Sequence, residues 1–181
     1  HKTFAALGVY GMSVITALTA QNTKGVSDIH AVPAYFIQSQ LNTIFDDIKA
    51  DAIKIGMLYN RETVEVVSNI LIKQNIKNVV FDPVMIATSG DLLQQSNVLE
   101  LLQEKLIPYC DLVTPNIEES EILFGRDIVG AKKVQDKSSI LVTGGHSPRD
   151  IITDILYHDG QIKEFTRPRV QTKNTHGTGC T

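Results

Sequence analysis

Apolar runs typical of strands alternate along the chain with apolar spacings typical of helices. Residues 12–20 (MSVITALTA) are rich in β-branched side chains and predict a buried strand. After Pro33, apolar residues recur on one helical stripe, and a proline in the first turn suits a helix start. Beyond that helix the pattern predicts helices over 61–74, 95–105 and 118–124, and strands over 52–55, 78–81, 111–114 and 139–143.

The order of these elements predicts the fold class. Strands that alternate with helices form βαβ units, and such units build a mainly parallel sheet with helices on both faces. Near the end, two alternating runs flank Asp159-Gly160, which is a strong signal for an antiparallel edge hairpin. No repeat or linker divides the chain, so we expect one α/β domain over 1–181. The chain opens inside a predicted helix and stops where another should begin, so we expect that domain to be truncated at both ends.

Composition narrows the function classes. A formal net charge of -3 and a pI of about 5.9 argue against a nucleic-acid-binding protein. The sequence has no run of about 18 apolar residues, which argues against a membrane span. The two cysteines, Cys110 and Cys180, are far apart and suggest no disulfide framework. Reduced thiols in a cytoplasmic enzyme are the simplest interpretation.

The last eight residues (NTHGTGCT) carry the clearest chemical signal. Gly177 and Gly179, separated by Thr178, allow backbone N–H groups to converge on an anion. A helix that began just beyond would point its positive end at the same place, and Cys180 puts a thiol at the rim. Phosphoryl transfer needs such a pocket, but a tight surface turn with a packed cysteine explains the same residues.

Polar or small residues followed by proline or glycine end several predicted strands. Ligands of open α/β sheets bind beyond the carboxyl ends of the strands, so this repetition predicts one composite site. Asp82 follows an all-apolar strand, where a carboxylate either caps a turn or binds a metal. Asn116 and Glu119 lie on the first turn of a predicted helix. They are either a helix cap with a first-turn acid, or an oxygen site for Mg²⁺ and phosphates.

Three further residues suit a ring-shaped ligand. The amide of Gln21 both donates and accepts hydrogen bonds, as the edge of a nitrogen heterocycle requires, although a strand-end glutamine is commonly only solvated. Met57 and Val84 either form apolar walls for such a ring or belong to the core. Residues 88–91 (TSGD) form either a mobile lid over the site or a plain surface turn.

Taken in order, these motifs resemble the hydroxymethylpyrimidine/phosphomethylpyrimidine kinases of thiamine biosynthesis, which belong to the ribokinase-like superfamily. The resemblance covers nearly the whole chain, and its most specific pieces are KNTHGTGCT and DPVM. It implies a ribokinase-like three-layer sandwich. It also implies that MgATP phosphorylates 4-amino-5-hydroxymethyl-2-methylpyrimidine and then its monophosphate. The matching segments are GMSVITALTAQ (11–21), IGML (55–58), DPVM (82–85), TPN (114–116) with Glu119, GGH (144–146) and KNTHGTGCT (173–181).

The resemblance implies a catalytic role for the final glycine segment. Gly177, Thr178, Gly179 and Cys180 would form the anion hole for the transferring phosphoryl group. Superfamily relatives usually carry aspartate at the base position, where this family and this chain have Cys180. A helix N-terminus lowers the pKa of a thiol, so Cys180 would either accept the hydroxymethyl proton or only position the hydroxyl.

The resemblance also implies roles for the strand-end residues. Gln21 would hydrogen-bond the pyrimidine, with Met57 and Val84 against its ring. Asp82 and Glu119 would organise Mg²⁺ and the phosphates. The ATP phosphates would be contacted by Asn116, Thr143 and Gly145. Thr143 stands where the family usually carries lysine, so this contact departs from the family pattern.

Two other interpretations stay open from the sequence. A pyridoxal kinase of the same superfamily would place a related ring with a hydroxymethyl group in a similar pocket. A non-catalytic pyrimidine- or nucleotide-binding module would keep the fold without the reaction. In each case the expected partners are small molecules, with no nucleic acid and no membrane, and a homodimer is left open.

Overall fold

The computed structural model describes residues 1–85, 93, 97–125, 138–145 and 150–172. The first half contains α1 (Lys2–Ala6), β1 (Ala17–Asn22), β2 (Gly25–Ala31), α2 (Ala34–Phe45), β3 (Ile53–Ile55), α3 (Arg61–Gln74) and β4 (Val79–Phe81). The second half contains α4 (Leu99–Leu101), β5 (Leu112–Val113), α5 (Ile117–Phe124), β6 (Ser139–Val142), β7 (Ile151–His158) and β8 (Gln161–Pro168). After α4 the chain winds on as a π-helix over Leu102–Leu106 and a 3₁₀ turn over Ile107–Tyr109.

A six-stranded sheet in the order β3-β4-β5-β6-β7-β8 organises the molecule. Strands β3 to β6 are parallel, whereas β7 and β8 join antiparallel at one edge. Asp159 and Gly160 both have positive φ values, 47° and 70°, as a tight hairpin turn requires. The predicted parallel sheet with an antiparallel edge hairpin is therefore confirmed.

The main core lies on one face of this sheet. Ile55, Phe81 and Val113 are in register across β3, β4 and β5, and all are buried. They pack with apolar residues of α3, the π-helix and α5 in one cluster. Burial of such side chains contributes about 1.5–3 kcal/mol each. On the opposite face, Lys54 is exposed and Val80 is half-buried.

Helix α3 shows how local signals fix an element in this core. The side chain of Asn60 caps its first turn by accepting a hydrogen bond from Thr63 N at 2.9 Å. Asn75 ends it in the left-handed conformation, with φ 46°. Val64, Val67 and Leu71 form the buried stripe between these caps. The helix occupies the predicted range of 61–74.

The prediction of a buried strand over 12–20 is wrong in three respects: where the strand begins, its burial and the sheet to which it belongs. Strand β1 begins only at Ala17 and most of its residues are exposed, and it pairs with β2 in a separate two-stranded sheet. The β-branched residues indicated an extended chain but could not indicate its partner, because β2 lies in a segment without a clear apolar pattern. The predicted helix over 95–105 begins at Leu99 in the described residues and changes to a π-helix after Leu101.

Within the described ranges, no helix is long and apolar enough to cross a membrane. The loop at 88–91 and the final segment with Gly177, Thr178, Gly179 and Cys180 lie outside the described residues.

Candidate active site

Asp82 stands directly beyond the carboxyl end of β4. Its backbone N–H donates to Ile55 O at 2.8 Å, and its own carbonyl accepts from Val84 N at 2.8 Å, so the turn after the strand is fixed. Its carboxylate Oδ2 lies 2.7 Å from Nζ of Lys54 on the neighbouring strand. Lys54 is in register with Val80, two residues before Asp82, so the alternation of side chains places both on one face. The Asp82 side chain is only 11% exposed, and the ammonium balances its charge.

Glu119 joins two of the predicted site segments. It lies on the first turn of α5, and its backbone N–H donates to Oδ1 of Asn116 at 2.9 Å. Its Oε2 accepts from Asn116 N at 3.0 Å, which completes a capping box. Its Oε1 accepts from Met85 N at 3.2 Å, in the loop that follows β4. The carboxylate is therefore more than a cap, because it also fastens the DPVM loop to the start of α5.

Thr143 and Gly145 continue this edge at the end of β6. Thr143 N donates to Pro115 O at 2.9 Å, and Thr143 forms a parallel bridge with Asn116. Gly145 is exposed, and a Cβ built on it would meet no atom within 4 Å. The structure thus brings Asp82, Glu119 and Asn116 together with Thr143 and Gly145 along the carboxyl ends of three adjacent parallel strands.

The predicted ring-binding residues divide between two places. Met57 and Val84 are half-buried and follow the ends of the adjacent strands β3 and β4. Gln21 instead lies on β1 opposite Val26, in the separate two-stranded sheet, and is exposed. The expectation that Gln21 ends a buried strand is therefore wrong, because its strand lies outside the main sheet. The segment before β1 does reach Met57, whose carbonyl accepts from Thr16 Oγ1 at 2.8 Å.

Lys54 and Asp154 are residues that the sequence analysis missed. Lys54 is a charged residue inside an apolar strand, AIKI, and that interruption is a usable sequence signal. Asp154 is 9% exposed on the hairpin strand β7, and its Oδ1 accepts from Gly144 N at 2.9 Å. No local spacing links residues 144 and 154, so this contact required the tertiary structure.

The donor set at this edge fits a hydrated Mg²⁺ ion better than a directly caged metal. Among the described residues, no group of three or more His, Cys, Asp or Glu side chains could hold a metal ion. Asp82 and Glu119 are hard carboxylate donors, and the backbone and Lys54 already engage their oxygens. Mg²⁺ keeps several of its waters and needs only one or two carboxylates beside substrate phosphates. These two residues therefore fit Mg²⁺ through its water shell.

Cys110 is not part of this site. It precedes β5 and so lies at the amino end of the strands, with Sγ 3.4 Å from Leu106 O. Burial, and secondarily the charge of Asp111, raises the pKa of its thiol from 9.0 to about 12. A cavity of about 390 Å³ opens nearby, between the C-terminus of α3 and the turn before β5.

The fold is that of the ribokinase-like kinases, and two similar solved structures are kinases. One is a pyridoxal kinase from Bacillus subtilis in an ADP complex, with a TM-score of 0.85 and 30% identity over 99% of this chain and 72% of that chain. Another is the phosphomethylpyrimidine kinase of Clostridium difficile 630, with a TM-score of 0.79 and 38% identity over 91% of this chain and 74% of that chain.

Sequence comparison resolves the class further. The hydroxymethylpyrimidine/phosphomethylpyrimidine kinase of Escherichia coli K12 is 41% identical over 99% of this chain and 71% of its own length. The thiamine biosynthesis bifunctional protein ThiED of Geobacter sulfurreducens is 42% identical, and the chain spans 39% of its length. The sequence profile of the phosphomethylpyrimidine kinases matches residues 1–181. The chain belongs to the phosphomethylpyrimidine kinase family, so the predicted family, fold class and phosphotransferase activity are confirmed.

Proposed function

We propose that this chain transfers the γ-phosphoryl group of ATP to 4-amino-5-hydroxymethyl-2-methylpyrimidine and then to the resulting monophosphate. The observation that carries the proposal is the pair of contacts made by Glu119, which fasten the loop after β4 to the start of α5. They hold Asp82, on one side, and Asn116 with Thr143, on the other, in a fixed relation. ATP use follows from membership of a kinase family. The relatives whose names include both kinase activities support the choice of acceptor.

Phosphoryl transfer asks a protein mainly for positioning and for stabilisation of charge. Asn116, Thr143 and Gly145 would hold the ATP phosphates at the ends of β5 and β6. Asp82 and Glu119 would hold Mg²⁺ through its waters, and that ion would neutralise charge on the phosphates. Lys54 keeps the carboxylate of Asp82 oriented along this edge.

The acceptor would sit beside the ends of β3 and β4. Met57 and Val84 would pack on the pyrimidine ring, and Gln21 would hydrogen-bond its edge from the two-stranded sheet. Gly177, Thr178 and Gly179 would form the anion hole, with the Cys180 thiol at the hydroxymethyl group. As base, Cys180 would take the hydroxyl proton. As a positioning group it would only orient the oxygen, because a loose transition state needs little help from a base.

A pyridoxal kinase is the second candidate function, and one observation favours it. The TM-score with the pyridoxal kinase of Bacillus subtilis, 0.85, exceeds that with the phosphomethylpyrimidine kinase of Clostridium difficile, 0.79. The sequence identities have the opposite order, 30% against 38%. We choose the pyrimidine because acceptor choice depends on pocket side chains, which sequence identity reflects more directly than backbone shape.

Steady-state kinetics with three acceptors test the proposal. We expect kcat/KM to be at least about tenfold higher for the hydroxymethylpyrimidine and for its phosphate than for pyridoxal. The reverse order would establish the pyridoxal kinase. Absence of turnover with every acceptor, together with nucleotide binding by calorimetry, would establish the non-catalytic module.

Two substitutions test the assigned residues. Cys180→Ala and Asp82→Asn should each lower kcat by at least about tenfold, as is typical for a single catalytic group. Lys49→Met, at an exposed lysine before β3, serves as the control and should retain most of the activity. Unchanged kcat in both variants would contradict the site assignment.

The homodimer stays a prediction, which light scattering on the same samples would test.

A further inference from the structure

The start of the loop after β6, residues 143–145, packs its backbone directly against β7 at Gly144. A Cβ built on Gly144 would lie 2.1 Å from the carbonyl oxygen of Thr153. Real atoms do not approach so closely, and the obstacle is backbone rather than a flexible side chain. Gly144 is therefore a contact point, and the edge hairpin fixes the distance between β7 and this loop.

Asp154 holds the same loop through a buried carboxylate. Its Oδ1 accepts from Gly144 N at 2.9 Å, and its Oδ2 forms an ion pair with Nη1 of Arg167 on β8. Phe165 is the register partner of Asp154, so Arg167 reaches it diagonally across the hairpin. The Asp154 side chain is 12% exposed and the Arg167 side chain 55%. The carboxylate is therefore buried, while the guanidinium that balances its charge stays in contact with solvent.

Arg169 fastens the next peptide group. Its Nη1 and Nη2 both lie 3.3 Å from Gly145 O, and its backbone N–H donates to Asp150 O at 2.8 Å. The hairpin thus engages the N–H of Gly144 and the carbonyl of Gly145. Two glycines have wide freedom of φ and ψ, and these contacts remove that freedom on both sides of the peptide group that joins them.

We propose that Asp154 is a positioning residue for nucleotide binding. Together with Arg167 and Arg169 it fixes the Gly144–Gly145 peptide group in the orientation that meets the phosphates of ATP. This inference rests on the proposed role of Gly145 in ATP binding. The effect should be limited to the nucleotide because the acceptor pocket is distant. Strand β6 lies three strands from β3, which is about 14 Å at normal strand spacing. Loosening this loop therefore affects the nucleotide and leaves the acceptor pocket near Met57 intact.

Variants of Asp154 test the inference through a split between two Michaelis constants. Asp154→Ala removes the acceptor for Gly144 N and the partner of Arg167, and should raise KM for ATP about tenfold. The KM for the acceptor should change less than about twofold. Asp154→Asn keeps an oxygen for Gly144 N but loses the ion pair, so it should recover part of the affinity. Glu164→Gln, an exposed charge change on β8, is the matched control and should behave as wild type.

A direct binding measurement separates this inference from the proposed reaction. Calorimetric titration with ADP needs no acceptor, and thermal melting of each variant verifies that it is folded. If the wild type binds ADP and folded Asp154→Ala and Asp154→Asn bind it equally well, the inference is overturned while the proposed function stands. If the wild type binds no ADP, the proposed function fails first and the inference with it. Equal increases in the KM for ATP and in the KM for the acceptor would also overturn it.

Discussion

Nζ of Lys54 and Oδ2 of Asp82 lie 2.7 Å apart and join two adjacent parallel strands at the edge where the candidate site lies. The lysine side chain is 35% exposed, whereas the aspartate side chain is 11% exposed. An exposed ion pair contributes only about 0–1 kcal/mol to the free energy of unfolding. Removing the partner of a buried charge costs more, because that charge then stays buried without compensation. The Lys54–Asp82 pair is neither fully exposed nor fully buried. Its contribution to stability depends mainly on Asp82, because this is the more buried of the two charges.

Replacement of Lys54 by methionine should destabilise the protein by about 1–2 kcal/mol, because Asp82 would keep a poorly solvated charge without its ammonium. Urea unfolding measures this loss. Lys49→Met, at an exposed lysine just before β3, is the control and should change stability by less than about 0.5 kcal/mol. Equal stability of the two variants would show that the ion pair does not support Asp82.

Glu119→Gln should lower both stability and activity. A glutamine oxygen can accept one of the two backbone N–H groups, from Asn116 and Met85, but its NH₂ group cannot accept the other. We expect a loss of about 1–2 kcal/mol by urea unfolding and a decrease in kcat of at least about tenfold. Glu118→Gln lies on the same turn with an exposed side chain and should have neither effect. If both variants retain full kcat, the role of Glu119 is limited to capping.

Cys110 gives a prediction about alkaline pH. Burial raises the pKa of its thiol from 9.0 to about 12, so between these values the unfolded state loses a proton that the folded state keeps. The contribution of this thiol to the free energy of unfolding is fully present below pH 9. Above pH 9 the contribution decreases, by up to about 1.4 kcal/mol per pH unit. Urea unfolding between pH 8 and 10.5 should show a steeper decline for the wild type than for Cys110→Ala. An equal decrease of the free energy of unfolding in the wild type and in Cys110→Ala would contradict the raised pKa of the Cys110 thiol.

Asn60→Ala removes the cap of α3. The Asn60 side chain accepts from both N and Oγ1 of Thr63, at 2.9 and 2.7 Å. We expect a loss of about 1 kcal/mol by thermal or urea unfolding, whereas Asn60→Asp should retain most of the stability, since it is also a good cap. Activity of folded Asn60→Ala should equal that of the wild type, because both of these Asn60 contacts are with Thr63 and not with a proposed site residue. A larger loss with the aspartate variant than with the alanine variant would contradict this account.

Local signals in the sequence predicted local structure well. The spacing of Asn116 and Glu119 indicated a helix cap as one of two interpretations, and the structure contains a complete capping box. Asp159-Gly160 predicted the hairpin turn, and both residues have the positive φ that such turns need. In these cases the residues that interact lie within a few positions of each other, so the pattern contains the whole interaction.

The rest depends on which distant segments meet. The sequence of β1 indicated a strand. Whether that strand pairs with β2 or joins the main sheet depends on tertiary contacts, and because it pairs with β2, Gln21 is exposed. The contact of Glu119 with Met85 joins residues 34 positions apart, and that of Lys54 with Asp82 joins residues 28 apart. Strand order determines such contacts, and side-chain patterns do not encode strand order in a single sequence.

The unequal surroundings of Gly144 and Gly145 have a consequence for substitution at these two positions. The main chain of β7 blocks any side chain at position 144, whereas position 145 has open space beside it. A residue other than glycine at 144 would have to displace the main chain of β7, while a side chain at 145 would extend into that open space. Of these two neighbouring glycines, only the second could therefore be exchanged without a clash in the folded chain.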